Sequence, residues 1–120
     1  MASEKLQAIA FKWINAFNDH NLEQLLSLYD DDAKHYSPNL KIKKPETNGL
    51  LIGKENLRLW WKSAFENLPT LNYKPVSFTA NDDRIFIEYL RSVEGENDAM
   101  IAEVLVIKED KIIVSKVYFS

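Results

Sequence analysis

Apolar residues in the first half of the chain recur three and four positions apart. Leu6, Ile9, Ala10, Trp13, Ile14 and Phe17 share one helical face, with Ser3 placed as N-cap and Glu4 in the first turn. Asn18, Asp19 and His20 break the pattern. Asn21 then caps a short second helix carrying Leu22, Leu25, Leu26 and Tyr29, with Gln24 at the capping-box position. Asp30, Asp31 and Asp32 close it as a solvated run. The same spacing returns in Leu57, Trp60, Trp61, Ala64, Phe65 and Leu68, a third helix that follows Gly53 and stops at Pro69. Between them, 33–37 reads as a short strand before Pro38, 39–49 as a polar loop and 50–52 as a minor strand.

The second half switches to a period of two. Strands are predicted over 71–80, 84–93, 100–108 and 111–119, rich in β-branched and aromatic residues. Pro75 marks an edge or a bulge in the first of them. Short polar turns join the last three into an antiparallel meander. Helices first and strands later predict an α+β fold with the helices on one face of the sheet. The strand from Met100 is apolar on both faces: Met100, Ala102, Val104 and Val106 on one, Ile101, Leu105 and Ile107 on the other, interrupted by Glu103. A sheet with one wet face alternates apolar and polar residues, so the outer face needs a cover, and a homodimer is the simplest one.

Composition narrows the partners. The 120 residues fit a single domain, 1–120, and 46% hydrophobic residues suffice for a core. A net charge of −3, with one basic cluster at Lys41, Lys43 and Lys44, argues against nucleic acid. There is no cysteine, which excludes disulfides, thiolate nucleophiles and cysteine-based zinc sites, and fits a cytoplasmic location. The charged N-terminal stretch is unlike a signal peptide, and no apolar run approaches ~18 residues, so no membrane is expected. The Asp30–Asp32 run lacks the glycine and terminal acid of a calcium loop, and no metal or cofactor is expected.

The segment Phe11-Lys12-Trp13-Ile14-Asn15-Ala16-Phe17-Asn18-Asp19-His20-Asn21-Leu22, followed by Leu28-Tyr29-Asp30-Asp31-Asp32-Ala33, resembles the opening of SnoaL-like and ketosteroid-isomerase-like proteins. Ser37-Pro38, Gly53-Lys54-Glu55-Asn56-Leu57 and the closing strand 111–119 resemble the later landmarks, in the same order. The resemblance implies a cystatin-like, nuclear transport factor 2-like fold. In it a cone-like curved mixed or antiparallel sheet wraps around three N-terminal helices and an apolar pocket, and homodimers are frequent. The family hosts isomerases, dehydratases, epoxide hydrolases, polyketide cyclases and non-catalytic modules, so the fold does not name the activity. The ketosteroid isomerase positions are a tyrosine on the first helix, an aspartate before the proline and a second acid on a late strand. They fall on Trp13, Ser37 and, counted back from the last hairpin, Ala102, so that catalytic set is not retained. The acid–arginine–acid set of the epoxide hydrolases and the His-Asp pair of the dehydratases are also not found.

The resemblance turns Trp13 and Trp60 toward the pocket, where Phe17 and Trp61 complete an aromatic wall. Ser37, Ile87, Tyr89, Ala102, Val104, Ser115 and Val117 are expected to line its sheet side. Glu103 and Glu88 are then expected on the outer face, although a carboxylate in apolar surroundings would be a candidate acid or base. Tyr36, Tyr89 and Tyr118 are candidate donors to a ligand carbonyl, and Arg91 follows Tyr89 at the mouth, where it would meet a ligand carboxylate. His35 and Ser37 share a strand face, which makes a Ser-His arrangement geometrically possible, and His20 lies in a turn. Three classes follow: a protein that holds a small apolar molecule, an acid–base enzyme acting on one, and a dimeric interaction module.

Overall fold

Helical periodicity and caps produce the helical layer of this computed structural model, which describes residues 2–119. The first helix, α1 (Ala2–Asn18), buries Leu6, Ala10, Trp13, Ile14 and Phe17, the predicted stripe. It starts before Ser3, which therefore lies inside the helix and not at its cap. The second helix, α2 (Leu22–Ser27), is capped by Asn21, whose Oδ1 accepts from the Gln24 amide at 3.1 Å. Tyr29 leaves this helix and opens strand β1 (Tyr29–Tyr36), so Asp30, Asp31 and Asp32 lie in the strand, with Asp31 and Asp32 exposed.

The segment expected as a loop contains helix α3 (Pro38–Lys43) and a 3-10 turn, Pro45–Thr47. The start signal is local. Ser37 Oγ accepts from the Leu40 amide at 3.4 Å, and Pro38 occupies the first helical position, where its missing N–H is no loss. Strand β2 (Leu50–Ile52) and helix α4 (Lys54–Asn67) follow, and α4 buries Leu57 and Trp61. Strands β3 (Asn72–Asn81), β4 (Arg84–Ser92), β5 (Ala99–Lys108) and β6 (Lys111–Phe119) form the meander.

The six strands form one mixed sheet in the order β2-β1-β6-β5-β4-β3, with β1 and β6 parallel and every other pair antiparallel. The fold is α+β, a curved unclosed sheet with α1 and α4 packed on its concave face. The core joins Leu6, Trp13, Ile14 and Phe17 of α1 to Ile85, Ile87 and Tyr89 of β4 and to Ile101 and Leu105 of β5. Among the described residues no helix is long and apolar enough to cross a membrane.

Bulges interrupt the ladders at Pro75, as the proline implied, and between Val106 and Ile107. The second carries no glycine or proline. It adjoins a two-residue hairpin in which Glu109 and Asp110 both take positive φ, 52° and 66°. That backbone favours asparagine and glycine, because a Cβ crowds the left-handed region. Replacing the pair by Asn-Gly is expected to stabilise the domain by about 1 kcal/mol. A urea midpoint no higher than that of the unchanged chain would contradict this account of the turn.

Candidate functional site

A cavity of about 340 Å³ lies between α1, α4 and the concave sheet face. Phe17, Trp60, Trp61 and Tyr73 supply an aromatic wall, and Leu71, Ile101 and Val117 supply further apolar surface. Polar side chains in its buried part include His35, Ser37, Glu103 and Tyr89. Asn39, Lys43, Arg91 and Glu96, all more exposed, rim it, and Arg91 Nη1 pairs with Glu96 Oε1 at 2.9 Å.

Glu103 is inward, and this overturns the expected strand phase. Ile101, Glu103 and Leu105 share the concave face of β5, while Ala102 and Val104 point to the outer face. The phase was counted back from the last hairpin, across the bulge at Val106/Ile107. The extra residue is Ile113 of β6, between Ile112 and Val114, which pair with the consecutive Ile107 and Val106. Strand β5 itself alternates unbroken, and a register carried across the hairpin from β6 lands one position off on it. Val104 is buried, yet outside the main core. Its cross-strand neighbours there are Phe86 and Lys116. Glu88 also points outward and accepts from Ser77 Oγ at 2.6 Å.

Glu103 Oε1 accepts a hydrogen bond from the Tyr89 hydroxyl at 2.9 Å, and no other described side chain bonds to the carboxyl. Burial pushes its pKa up to about 8, against the opposing pull of the Tyr89 hydrogen bond. At neutral pH the group is therefore largely a neutral acid. The tyrosines around it, Tyr73 and Tyr89, are raised by burial and by the Glu103 charge, and stay phenolic. Their rings lie 4.2 Å apart, centroid to centroid, which holds the Tyr89 hydroxyl in place.

His35 sits on β1 beside β6, at a register position opposite Ser115. Its Nδ1 lies 2.6 Å from Ser115 Oγ, and its ring meets Trp61 edge-on at 5.2 Å. Burial lowers its pKa to about 4, so the imidazole is neutral at physiological pH. Ser115 is fully buried behind the cavity wall, and it also accepts from the Tyr29 hydroxyl at 3.0 Å. The histidine's serine partner is thus Ser115. Ser37 lines the cavity, but its hydroxyl caps α3.

Of the other predicted lining residues, Phe17, Trp60, Trp61, Tyr89 and Val117 reach the cavity. Trp13 and Ile87 are fully buried behind it. Trp13 donates from Nε1 to the Tyr29 hydroxyl at 3.1 Å, a contact made possible by Tyr29 joining β1. Tyr36 and Tyr118 lie away from the cavity, each with its ring 5.5 Å from the Lys116 ammonium. His20 stacks on Phe65, with Nε2 2.9 Å from the Leu71 carbonyl, and so ties the α1–α2 turn to the start of β3. Ala64, Leu71 and Tyr73 line the cavity without having been singled out. Ala64 was legible as part of the α4 stripe, whereas Tyr73 becomes visible only once the bulge at Pro75 sets the phase of β3.

Comparison with known proteins agrees with this architecture. Residues 10–114 match the sequence profile of the SnoaL-like domain. No curated protein matches the chain. A SnoaL-like protein of unknown function from Burkholderia thailandensis is similar, with a TM-score of 0.88 and 26% identity over 98% of this chain and 95% of that one. TerC, co-crystallised with polyporic acid, has a TM-score of 0.82 and 17% identity over 97% of this chain and 92% of its own. A protein with a ketosteroid isomerase-like fold from Catenulispora acidiphila, in complex with trimethylamine, has a TM-score of 0.74 and 18% identity over 93% and 85%. With most of its length matched by that profile, and nuclear transport factor 2-like proteins among its structural neighbours, the chain belongs to the SnoaL-like family.

Proposed function

We propose that this domain binds a small, mostly apolar carbonyl compound in its cavity and moves a proton on it, with Glu103 as the acid–base group. The observation that carries this reading is a carboxyl group buried in an aromatic cavity, tied by one hydrogen bond and raised to about 8. A carboxylate of that basicity is a stronger base than an ordinary one, yet is still ionised in a useful fraction near neutral pH. The cavity is near the small end of the about 300–1,000 Å³ range of small-molecule sites, which suits a molecule of about two fused rings.

The chemistry follows from the two inward groups. Ionised Glu103 takes a proton from the carbon next to the carbonyl. The C–H electron pair becomes the C=C bond of an enolate, and the carbonyl π pair moves onto oxygen. Neutral His35 faces the same cavity from β1, two strands and about 10 Å across the sheet, on the side where that oxygen can be held. Return of the proton to the same or another carbon gives exchange or isomerisation; loss of a neighbouring group gives a lyase reaction.

The test uses 2-tetralone as a flat ketone probe. Its α-protons are expected to exchange in D2O faster with the protein than in buffer, by proton NMR. Trp60 and Trp61 line the cavity, so binding is also read by tryptophan emission and by thermal stability. A native-state ligand at one hundred times its dissociation constant adds about 2.7 kcal/mol. Absence of both binding and exchange would sink the reading. Binding without exchange would favour the second one, a non-catalytic ligand holder. That alternative draws on Trp13 and Ser37: two positions catalytic in ketosteroid isomerases are here a buried indole and a helix cap. Two similar proteins hold small molecules, which supports a ligand in either case.

We also infer that the outer sheet face pairs two copies of the chain. Phe86, Met100 and Tyr118 are exposed around Val104, and Glu88 and Lys116 offer opposite charges in neighbouring rows. Sedimentation is expected to give a dimer that Phe86→Asp converts to monomer. A wild-type monomer, or a variant that still dimerises, would refute this arrangement.

A further inference from the structure

We infer that Trp13, Tyr29 and Ser115 are positioning residues that fix His35 as the tautomer with its proton on Nε2, the nitrogen on the cavity side. Their hydrogen bonds form one chain through the core: Trp13 Nε1 to Tyr29 Oη at 3.1 Å, Tyr29 Oη to Ser115 Oγ at 3.0 Å, Ser115 Oγ to His35 Nδ1 at 2.6 Å. All four residues are buried.

The direction of the chain is set at its closed end. An indole N–H donates and cannot accept. Tyr29 has two hydrogen-bonding partners, Trp13 and Ser115, so its single proton has only Ser115 to go to. Ser115 thus receives one proton and has one of its own, which goes to its remaining partner, His35 Nδ1. A neutral imidazole that accepts at Nδ1 carries its proton on Nε2. The reverse direction would strand the Tyr29 proton in the core, and no described buried side-chain nitrogen or oxygen lacks a partner. Tyr29 cannot relieve the chain by ionising, because burial and the Glu103 charge hold it as a phenol.

The consequence rests on the acid–base reading of the cavity. His35 then presents an N–H donor to the ligand and has no lone pair there. It stabilises a developing oxyanion and takes no proton, which leaves Glu103 as the cavity's base. Ser115, despite its 2.6 Å contact with a histidine, is an orienting group and not a nucleophile.

The measurement is long-range 15N–1H correlation NMR of the labelled protein, with His20→Asn used to separate the two histidines. His35 is expected to show a protonated Nε2 and an unprotonated Nδ1 at pH 7. A protonated Nδ1, or a doubly protonated ring, overturns the inference. In Ser115→Ala both tautomers are expected; a ring still wholly protonated on Nε2 would show that the hydroxyl chain does not set it. Where that variant does not fold, Tyr29→Phe keeps the ring, removes the donor to Ser115, and is expected to admit the second tautomer. A single tautomer there would likewise overturn the role given to the chain. The spectra do not depend on turnover, so failure of the enolate reading and failure of this one give different results: no 2-tetralone exchange in the first case, the wrong nitrogen protonated in the second.

Discussion

Glu103→Gln is expected to slow α-proton exchange on bound 2-tetralone by about 10²–10⁴-fold, the usual contribution of a positioned acid or base, with ketone binding close to wild type. The substitution keeps the side chain's length and leaves the amide oxygen to accept from Tyr89, which now bonds Oε1 at 2.9 Å. It replaces the second oxygen by an NH2 group that cannot take a proton. Affinity depends on the aromatic wall, which the change does not touch. The wild-type exchange rate is expected to rise with pH as Glu103 ionises through about 8, and the variant's slow residual rate to lack that rise. An exchange rate that survives the substitution would remove Glu103 from the chemistry. A parallel loss of binding would assign it to ligand recognition. Glu103→Asp distinguishes base strength from placement, because it keeps a carboxylate but withdraws it by one methylene from both Tyr89 and the ligand.

What the sequence disclosed follows how local each cause is. The stripes of α1 and α4 and the meander were legible because each element's own spacing encodes them. Pro75 announced its bulge because a proline cannot donate to the ladder. Helix α3 was missed: a serine followed by proline opens a helix as readily as it ends a strand, and the polar residues after Ser37 read as a loop. The β6 bulge opposite Val106 and Ile107 has no such residue, so the register between β6 and β5 is hidden in the sequence and Glu103 reads as outward. Trp13 was correctly on the buried face of α1. Whether it met ligand or core depended on Tyr29, which reached it only by leaving α2 for β1. The His35–Ser115 contact spans 80 positions and a parallel pairing of the first and last strands, which no local pattern records.

The two buried titratable groups of the cavity are expected to shape the domain's stability in opposite ways, with effects that cancel over part of the pH range. For Glu103 the folded pKa of about 8 lies above its ordinary 4.5, so between these values the folded state holds a proton that the unfolded state has lost. Stability contributed by this group is whole below 4.5 and declines as pH rises toward 8. For His35 the folded value of about 4 lies below the ordinary 6.5, so between them the unfolded state holds the extra proton. Its contribution is whole above 6.5 and declines as pH falls toward 4. Between 4.5 and 6.5 the slopes are equal and opposite, each about 1.4 kcal/mol per pH unit. The pair therefore gives a plateau there, with a loss of order 2 kcal/mol on the alkaline side by pH 8. Glu103→Gln is expected to abolish the alkaline decline and to expose a rising limb between 4 and 6.5, where His35 acts alone. His35→Asn, which keeps a polar partner for Ser115, is expected to do the opposite, giving a continuous decline from 4.5 to 8. Urea midpoints of the three proteins across this range measure it, and the differences between wild type and each variant isolate the two groups from every exposed carboxylate. Should wild type and Glu103→Gln run parallel from pH 6.5 to 8, the carboxyl is not held as a neutral acid in the folded cavity. The same result would remove the raised basicity on which the proposed proton transfer depends.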